Sequence, residues 1–350
     1  MKSDPHIVTL RDIALKLGIS HTTVSRALHN SPFISEARRK EIQKAAKKIG
    51  YVPNAMAVGL GKQRQSSGTH AVAAGLAWLN CWPAPARLRQ FKEFDFYWRG
   101  AAEAASKAGY HLEEFACASL SLKRLEKIFE ARNIRGVLVP PIWMGTSYPA
   151  GWDDFPWGRF SVVRFGYSCQ SPAFHVVAGA QMNNACMAIR KMAEKGYRRI
   201  GYVGYTGITD PWTRFHAGYL LAQNALPLSL RMPILSLPRE GELPETQALI
   251  AAWIKEYRPE AILTDIAHLS SMIEKVGYRV PADIGVACTS VLDGGTNAGI
   301  DQNSEEIGRT AVHTLISLLT LQERGVPEDY REVLIQGRWV DGSMMPGRVG

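Results

Sequence analysis

Leu10-Arg11-Asp12-Ile13-Ala14-Leu15-Lys16-Leu17-Gly18-Ile19-Ser20-His21-Thr22-Thr23-Val24-Ser25-Arg26-Ala27-Leu28 is the stretch on which the reading of this chain turns. Leu10, Ile13, Ala14 and Leu17 recur at i, i+3, i+4 and i+7, the apolar stripe of a two-turn helix. Thr9 stands before the run, with Asp12 three residues on, in the spelling of a capping box. Gly18 breaks the helix, and Ser20 can cap a second one over His21–Leu28. At about 100° per residue, Val24, Ala27 and Leu28 share one side of that second helix. His21, Thr22, Ser25, Arg26 and His29 fall on the other. Ser35 can cap a third helix, whose inner face is Ile42, Ala45, Ala46 and Ile49, before Gly50 ends it. Two short helices around a glycine turn, with a third packed behind, make a helix-turn-helix module.

The polar side of the second helix carries the chemistry of a major-groove reader. Arginine matches guanine N7 and O6, threonine reaches a base edge or methyl, and histidine donates or accepts. The plain alternative is a solvated surface face, and charge decides against it. Residues 1–64 hold 12 basic and 4 acidic side chains, while the remaining 286 hold 29 and 28. A basic head on a near-neutral body implies that the head alone meets a polyanion.

These residues resemble the head of LacI/GalR-type transcription regulators. The likeness runs from Val8 to Ala14, through Gly18–Leu28, and over Gly50-Tyr51-Val52-Pro53-Asn54-Ala55-Met56-Ala57. It implies that His21, Thr22 and Arg26 read bases, and that Ser20, Thr23, Ser25 and His29 meet phosphates or adjacent bases. Thr9, Leu10, Ser35, Asn54 and Ala57 complete the expected DNA-facing set. The resemblance also implies a hinge helix after Asn54 that folds on DNA and wedges Leu60 into the minor groove, as apolar side chains do at kinked steps. Ala55–Leu60 is too short to be stable alone, and Gly59 and Gly61 weaken it further. Val58 replaces an arginine common in the family.

Beyond the polar linker Gln63–Thr69, strand-like and helix-like runs alternate, which implies parallel sheets covered by helices. The expected elements include helices around Tyr97–Ala108, Leu122–Ala131 and Asn184–Lys195 and a strand over Met232–Leu235. The segments Gly196–Gly204, Gly277–Val286 and Asp301–Arg309 are similar to the same family. By that likeness the body is a two-lobed clamp of the periplasmic-binding-protein type with an effector in its cleft. The expected organisation is a helix-turn-helix domain over 1–52, hinge and linker over 53–69, and a two-lobed dimerising core over 70–350. The partners are a near-palindromic duplex operator, a small molecule such as a sugar, and a second copy of the chain.

The expected effector residues are Asp265, Arg214, Phe215, Asp95 and Phe96. Asp265 follows the Ala261–Leu263 strand, where it either holds ligand hydroxyls or caps the next helix. Phe215 replaces a family arginine, with Arg214 one place away. Cys288-Thr289-Ser290-Val291 replaces the usual Gly-Tyr-Asp-Asp, and Thr264 replaces an asparagine, so the ligand does not follow by analogy. An insert, Asn80–Phe94, rich in Pro, Trp and Arg, leads to Asp95 and Phe96. Trp143, Trp152 and Trp157 with Phe155 form an aromatic segment suited to packing between lobes or subunits, or to stacking on a sugar.

Other classes find no support. The chain has 350 residues, 46% hydrophobic and 21% charged, an ordinary globular composition. Its longest apolar run, Ala71–Leu79, is half the roughly 18 residues of a membrane span. The N-terminus carries Asp4 and Pro5 and an amphipathic pattern, and no signal-peptide core is expected behind it. Cys81, Cys117, Cys169, Cys186 and Cys288 are scattered and odd in number, which fits reduced thiols in the cytoplasm. Gly201, Gly204 and Gly207 do not make a dinucleotide fingerprint, and no nucleophile elbow or metal spacing occurs. No catalytic residue, metal or cofactor is expected. A plain solute-binding protein is a rival that the basic head disfavours, and an enzyme on the α/β body is a second.

Overall fold

The computed structural model describes residues 10–28, 33–48, 74–142, 148–205, 214–238 and 243–348. The chain divides into two compact units, residues 1–72 and 73–350. In the first, helices Leu10–Leu17, His21–Leu28 and Glu36–Lys48 bury Ile13, Ala14, Val24, Ala27, Ile42 and Ala46 between them. The expected boundaries of the first two helices hold. Gly18 takes a φ of +63° in the turn, a left-handed conformation that glycine adopts without steric cost. Ile19 tucks back against the small core.

The second unit contains two six-stranded sheets. The first runs in the order β11 (Glu332–Ile335), β5 (His175–Gly179), β4 (Ser161–Phe165), β3 (Gly136–Val139), β1 (Ala74–Asn80), β2 (Tyr110–Ala116) and is parallel throughout. Alternate residues of β1 enter opposite cores, as the two-residue period demands. Leu76 and Trp78 pack against helices Lys92–Lys107 and Ser304–Leu321, and Ala77 and Leu79 against helix Leu122–Ala131. That last helix starts where expected, because Ser121 Oγ accepts the Arg124 N–H at 3.4 Å.

The second sheet runs β12 (Arg338–Val340), β10 (Gly299–Asp301), β9 (Gly285–Cys288), β8 (Ala261–Thr264), β6 (Ile200–Tyr205), β7 (Leu235–Leu237). Its pairings are parallel as expected, apart from the edge strand β12, which pairs antiparallel with β10. The chain reaches β12 directly from β11 of the other sheet, with only two residues between, and so enters from the opposite direction. The expected strand at Met232–Leu235 starts later, at Leu235. The Met232 backbone is engaged at both polar groups by the Gln223 side chain, at 2.6 and 2.8 Å, instead of by a neighbouring strand.

Each sheet is the centre of one lobe, and three connections join the lobes: β5 to helix Gln181–Glu194, β10 to helix Ser304–Leu321, and β11 to β12. The Asn184 Oδ1 accepts from the Gly337 N–H at 2.9 Å and from the Gln336 amide at 3.1 Å. Two of the three connections are thereby pinned to each other.

The aromatic segment has a different role from those expected of it. Trp152, Phe155 and Trp157 are buried in the core of the first lobe, and the Trp152 and Trp157 indoles donate to Ser171 O and Trp152 O. They are packing residues within one lobe. Trp143 lies outside the described residues.

Candidate nucleic-acid interface and inter-lobe site

In the three-helix unit the apolar side of helix His21–Leu28 is consumed by the core, so its polar side is what remains for a partner. Ser20, His21, Thr22 and Arg26 are exposed, and Thr23 and Ser25 are half-buried. The Ser20 Oγ accepts the Thr23 N–H at 3.1 Å and lies 2.8 Å from the Thr23 hydroxyl, which fixes the N-terminus of the helix. At the far end the Gln43 amide donates to Ala27 O at 3.1 Å, bracing the second helix on the third. Arg26 enters no ion pair among the described residues. The third helix adds Arg38, Arg39, Lys40, Lys44, Lys47 and Lys48. Leu10 is half-buried against the core and Ser35 is exposed. Thr9, His29, Asn54, Ala57 and Leu60 lie outside the described residues.

In the two-lobed unit the expected effector residues separate into different surroundings. Asp265 is half-buried at the end of β8, where its Oδ1 accepts the Tyr205 N–H from the neighbouring β6 at 3.3 Å. Of its two readings, the helix cap does not form, because the next helix is preceded by His268 without a side-chain cap. A Cβ on Gly204 would come within 2.9 Å of Asp265 Oδ1 and 3.0 Å of His216 Nε2. A glycine there lets the carboxylate and the imidazole converge. Phe215 is buried in the second-lobe core with Tyr202 and Tyr219. Arg214 reaches across the lobes instead. Its guanidinium stacks 3.2 Å over the Tyr167 ring and lies 3.6 Å from Glu332, while the Tyr167 hydroxyl donates to Glu332 at 3.3 Å. Asp95 and Phe96 both engage Arg99 of their own helix, the first at 2.7 Å and the second under the guanidinium at 5.0 Å.

A junction that the residue pattern did not reveal joins the lobes near Asp95. Asp293, in the second lobe, accepts the Lys92 and Glu93 N–H groups of the first lobe at 3.0 and 2.9 Å. These amides begin helix Lys92–Lys107, so a carboxylate from the other lobe caps a helix N-terminus, where the macrodipole favours negative charge. Glu93 sits beside it and accepts the Tyr97 hydroxyl at 3.1 Å. Burial, with Asp293 and Asp301 nearby, pushes the Glu93 carboxyl up to about 7. The Tyr97 hydroxyl is pushed up by burial and by Glu93. Asp293 follows Glu93 by 200 residues, so no local spacing could signal the pair.

Among the described residues, no helix is long and apolar enough to cross a membrane, and no His, Cys, Asp and Glu cluster could hold a metal ion.

Comparison with known proteins bears on both units. The profile of bacterial regulatory proteins of the lacI family matches residues 9–54, and that of the periplasmic binding protein-like domain matches residues 189–343. A probable HTH-type transcriptional repressor of Bacillus subtilis (strain 168), ExuR, is 48% identical over 58 residues, which are 17% of each chain. The chain thus spans about a sixth of that relative. Among solved structures, a transcriptional regulator CelR–cellobiose complex superimposes with a TM-score of 0.55 at 18% identity, covering 95% of this chain and 98% of that one. The lac repressor dimer bound to operator and the anti-inducer ONPF gives 0.53 at 16% identity, covering 97% and 99%. Both share the fold.

Proposed function

Because the chain belongs to the LacI family of bacterial regulatory proteins, we propose that it is a sequence-specific transcription repressor whose grip on an operator responds to a small molecule. It acts in the cytoplasm as a homodimer, without enzymatic turnover. The observation that carries this reading is the exposed row of Ser20, His21, Thr22 and Arg26, on a helix whose opposite side is committed to the core. Arg26 is the guanine reader, since a guanidinium offers the two parallel donors that N7 and O6 accept. A second copy brings two such helices onto a near-palindromic site, with the paired Leu60 side chains wedged at its centre.

The effector site lies between the lobes, with Asp265 as hydroxyl acceptor and Arg214 as donor. A sugar is the favoured class, supported by the similarity to the cellobiose-bound regulator and by the aptness of a carboxylate for paired hydroxyls. Ligand-driven rearrangement must first release Arg214 from Tyr167 and Glu332, so binding and lobe geometry are coupled.

Site selection on random duplexes tests the DNA reading. Arg26→Ala is expected to cost about 1–3 kcal/mol per half-site and to relax the consensus at one position in each half. An Arg26→Ala protein that selects the unchanged consensus at every position overturns the assignment.

A further inference from the structure

Strands β1 and β2 run parallel, with Asn80 opposite Ala116 at the end of their register. The next residue on each chain is a cysteine, Cys81 and Cys117. Neighbouring strands lie about 4.8 Å apart, which falls within the roughly 4.4–6.8 Å between Cα atoms that a disulfide spans. The Cys117 N–H donates to Asn80 O at 2.9 Å, extending the ladder to the cysteines themselves. Their sulfurs are 3.1 Å apart, against about 2.05 Å for the covalent bond. Both are free thiols here.

The two thiols are not equivalent. Cys81 is buried in the first-lobe core, and its hydrogen bond to Cys117, followed by burial, holds it protonated far above the usual thiol range. Cys117 is only partly buried. The arrangement therefore sets a buried sulfur in contact with that of a residue only partly buried. Cys186 is also only partly buried, but its thiol donates to Gly218 O at 3.2 Å.

We propose that Cys81 and Cys117 are a redox modification site at which a hydroperoxide converts the pair to an intramolecular disulfide. Cys117 loses its proton and its sulfur attacks a peroxide oxygen. The O–O bond breaks, leaving Cys117 as the sulfenic acid and releasing water or an alcohol. The Cys81 sulfur then attacks Cys117 Sγ, the S–O bond breaks, and the departing hydroxide leaves as water with the Cys81 proton. The two thiols together lose two electrons and the peroxide gains them. A dithiol reductant reverses the bond by exchange. Cys81 also opens the segment leading to helix Lys92–Lys107, so the bond stiffens the first-lobe side of the inter-lobe junction.

Stepwise titration of the full chain with hydrogen peroxide, followed by alkylation and non-reducing peptide mass mapping, tests this. Free thiols are expected to fall from five to three, with the Cys81–Cys117 linked peptide as the first product, and dithiothreitol is expected to restore all five. Cys117→Ser is expected to yield no linked peptide and to leave Cys81 a free thiol where the wild type has already lost it. Oxidation of Cys117 to the sulfinic acid without linkage, earlier loss of Cys186, or resistance of both thiols to excess peroxide overturns the proposal. The wild-type map decides the matter even where the variant does not fold.

Discussion

Removing the Asp293 carboxylate should loosen the junction between the lobes by an amount that the geometry bounds. Asp293 accepts two amides at the start of helix Lys92–Lys107, at 3.0 and 2.9 Å. Loss of a helix cap costs about 0.5–2 kcal/mol, and a carboxylate facing the positive end of a helix belongs toward the top of that range. The site is half-buried, so water recovers part of the loss, and Asp293→Ala should cost about 1–2 kcal/mol. At 1.36 kcal/mol per decade, the Lys92 and Glu93 amides should exchange with deuterium roughly five to thirty times faster. Asp293→Asn keeps one acceptor oxygen and should fall between. The effect also has a pH signature. Above about pH 7 Glu93 is ionised beside Asp293, so removing Asp293 there relieves a repulsion and the loss should shrink. Hydrogen exchange followed over the peptide spanning these amides, at pH 6 and pH 8, reads both quantities. Unchanged exchange in Asp293→Ala at pH 6 would refute the inter-lobe cap.

Glu93 itself should make stability pH-dependent. Its folded-state carboxyl is raised from 4.5 to about 7, so across that window the native state binds more protons than the unfolded one, and stability falls as pH rises. Glu93→Gln should flatten that slope, and denaturant melts from pH 4.5 to 7.5 that keep the slope would exclude Glu93 as its source. Gly308→Ala should destabilise the first lobe by about 1–3 kcal/mol, because the new Cβ would stand 2.1 Å from Tyr97 O; an unchanged melting temperature contradicts that packing. Sugars that raise the melting temperature of the wild type should stabilise Asp265→Ala less and should alter operator affinity; equal stabilisation of both proteins would remove Asp265 from the site.

What could be read from residue order depended on where each element finds its partners. The head was legible because its three helices are capped, turned and packed by residues within a few positions of each other, as with Ser20, Gly18 and the Ile13–Val24–Ile42 core. Helix Leu122–Ala131 was legible for the same reason, through Ser121. The end of the insert Asn80–Phe94 was not. Helix Lys92–Lys107 begins five residues before the expected Tyr97, because its first amides are satisfied by Asp293, far along the chain. The delayed start of β7 has the same cause, a backbone bonded to the Gln223 side chain. In the proposed effector site, Asp265 could be singled out by its place after a strand. Tyr167 and Glu332 could not, because only the folded first lobe brings them beneath Arg214.

The threefold passage between lobes has a further consequence, for the order in which the chain can fold during synthesis. Helix Ser304–Leu321 packs on the first sheet and buries Ile307, Ala311, Val312, Leu315 and Leu318 there, and β11 supplies that sheet's outer strand. Both leave the ribosome only after β6 to β10, which belong to the second lobe. The lobe begun first therefore cannot be completed first. Until residue 335 emerges, its nascent form exposes β5 as an open edge and a bare apolar face, the features that attract chaperones and mispairing. A chain stopped near residue 300 should be captured by chaperones more than one stopped near 340, although the two differ by barely a tenth of the length.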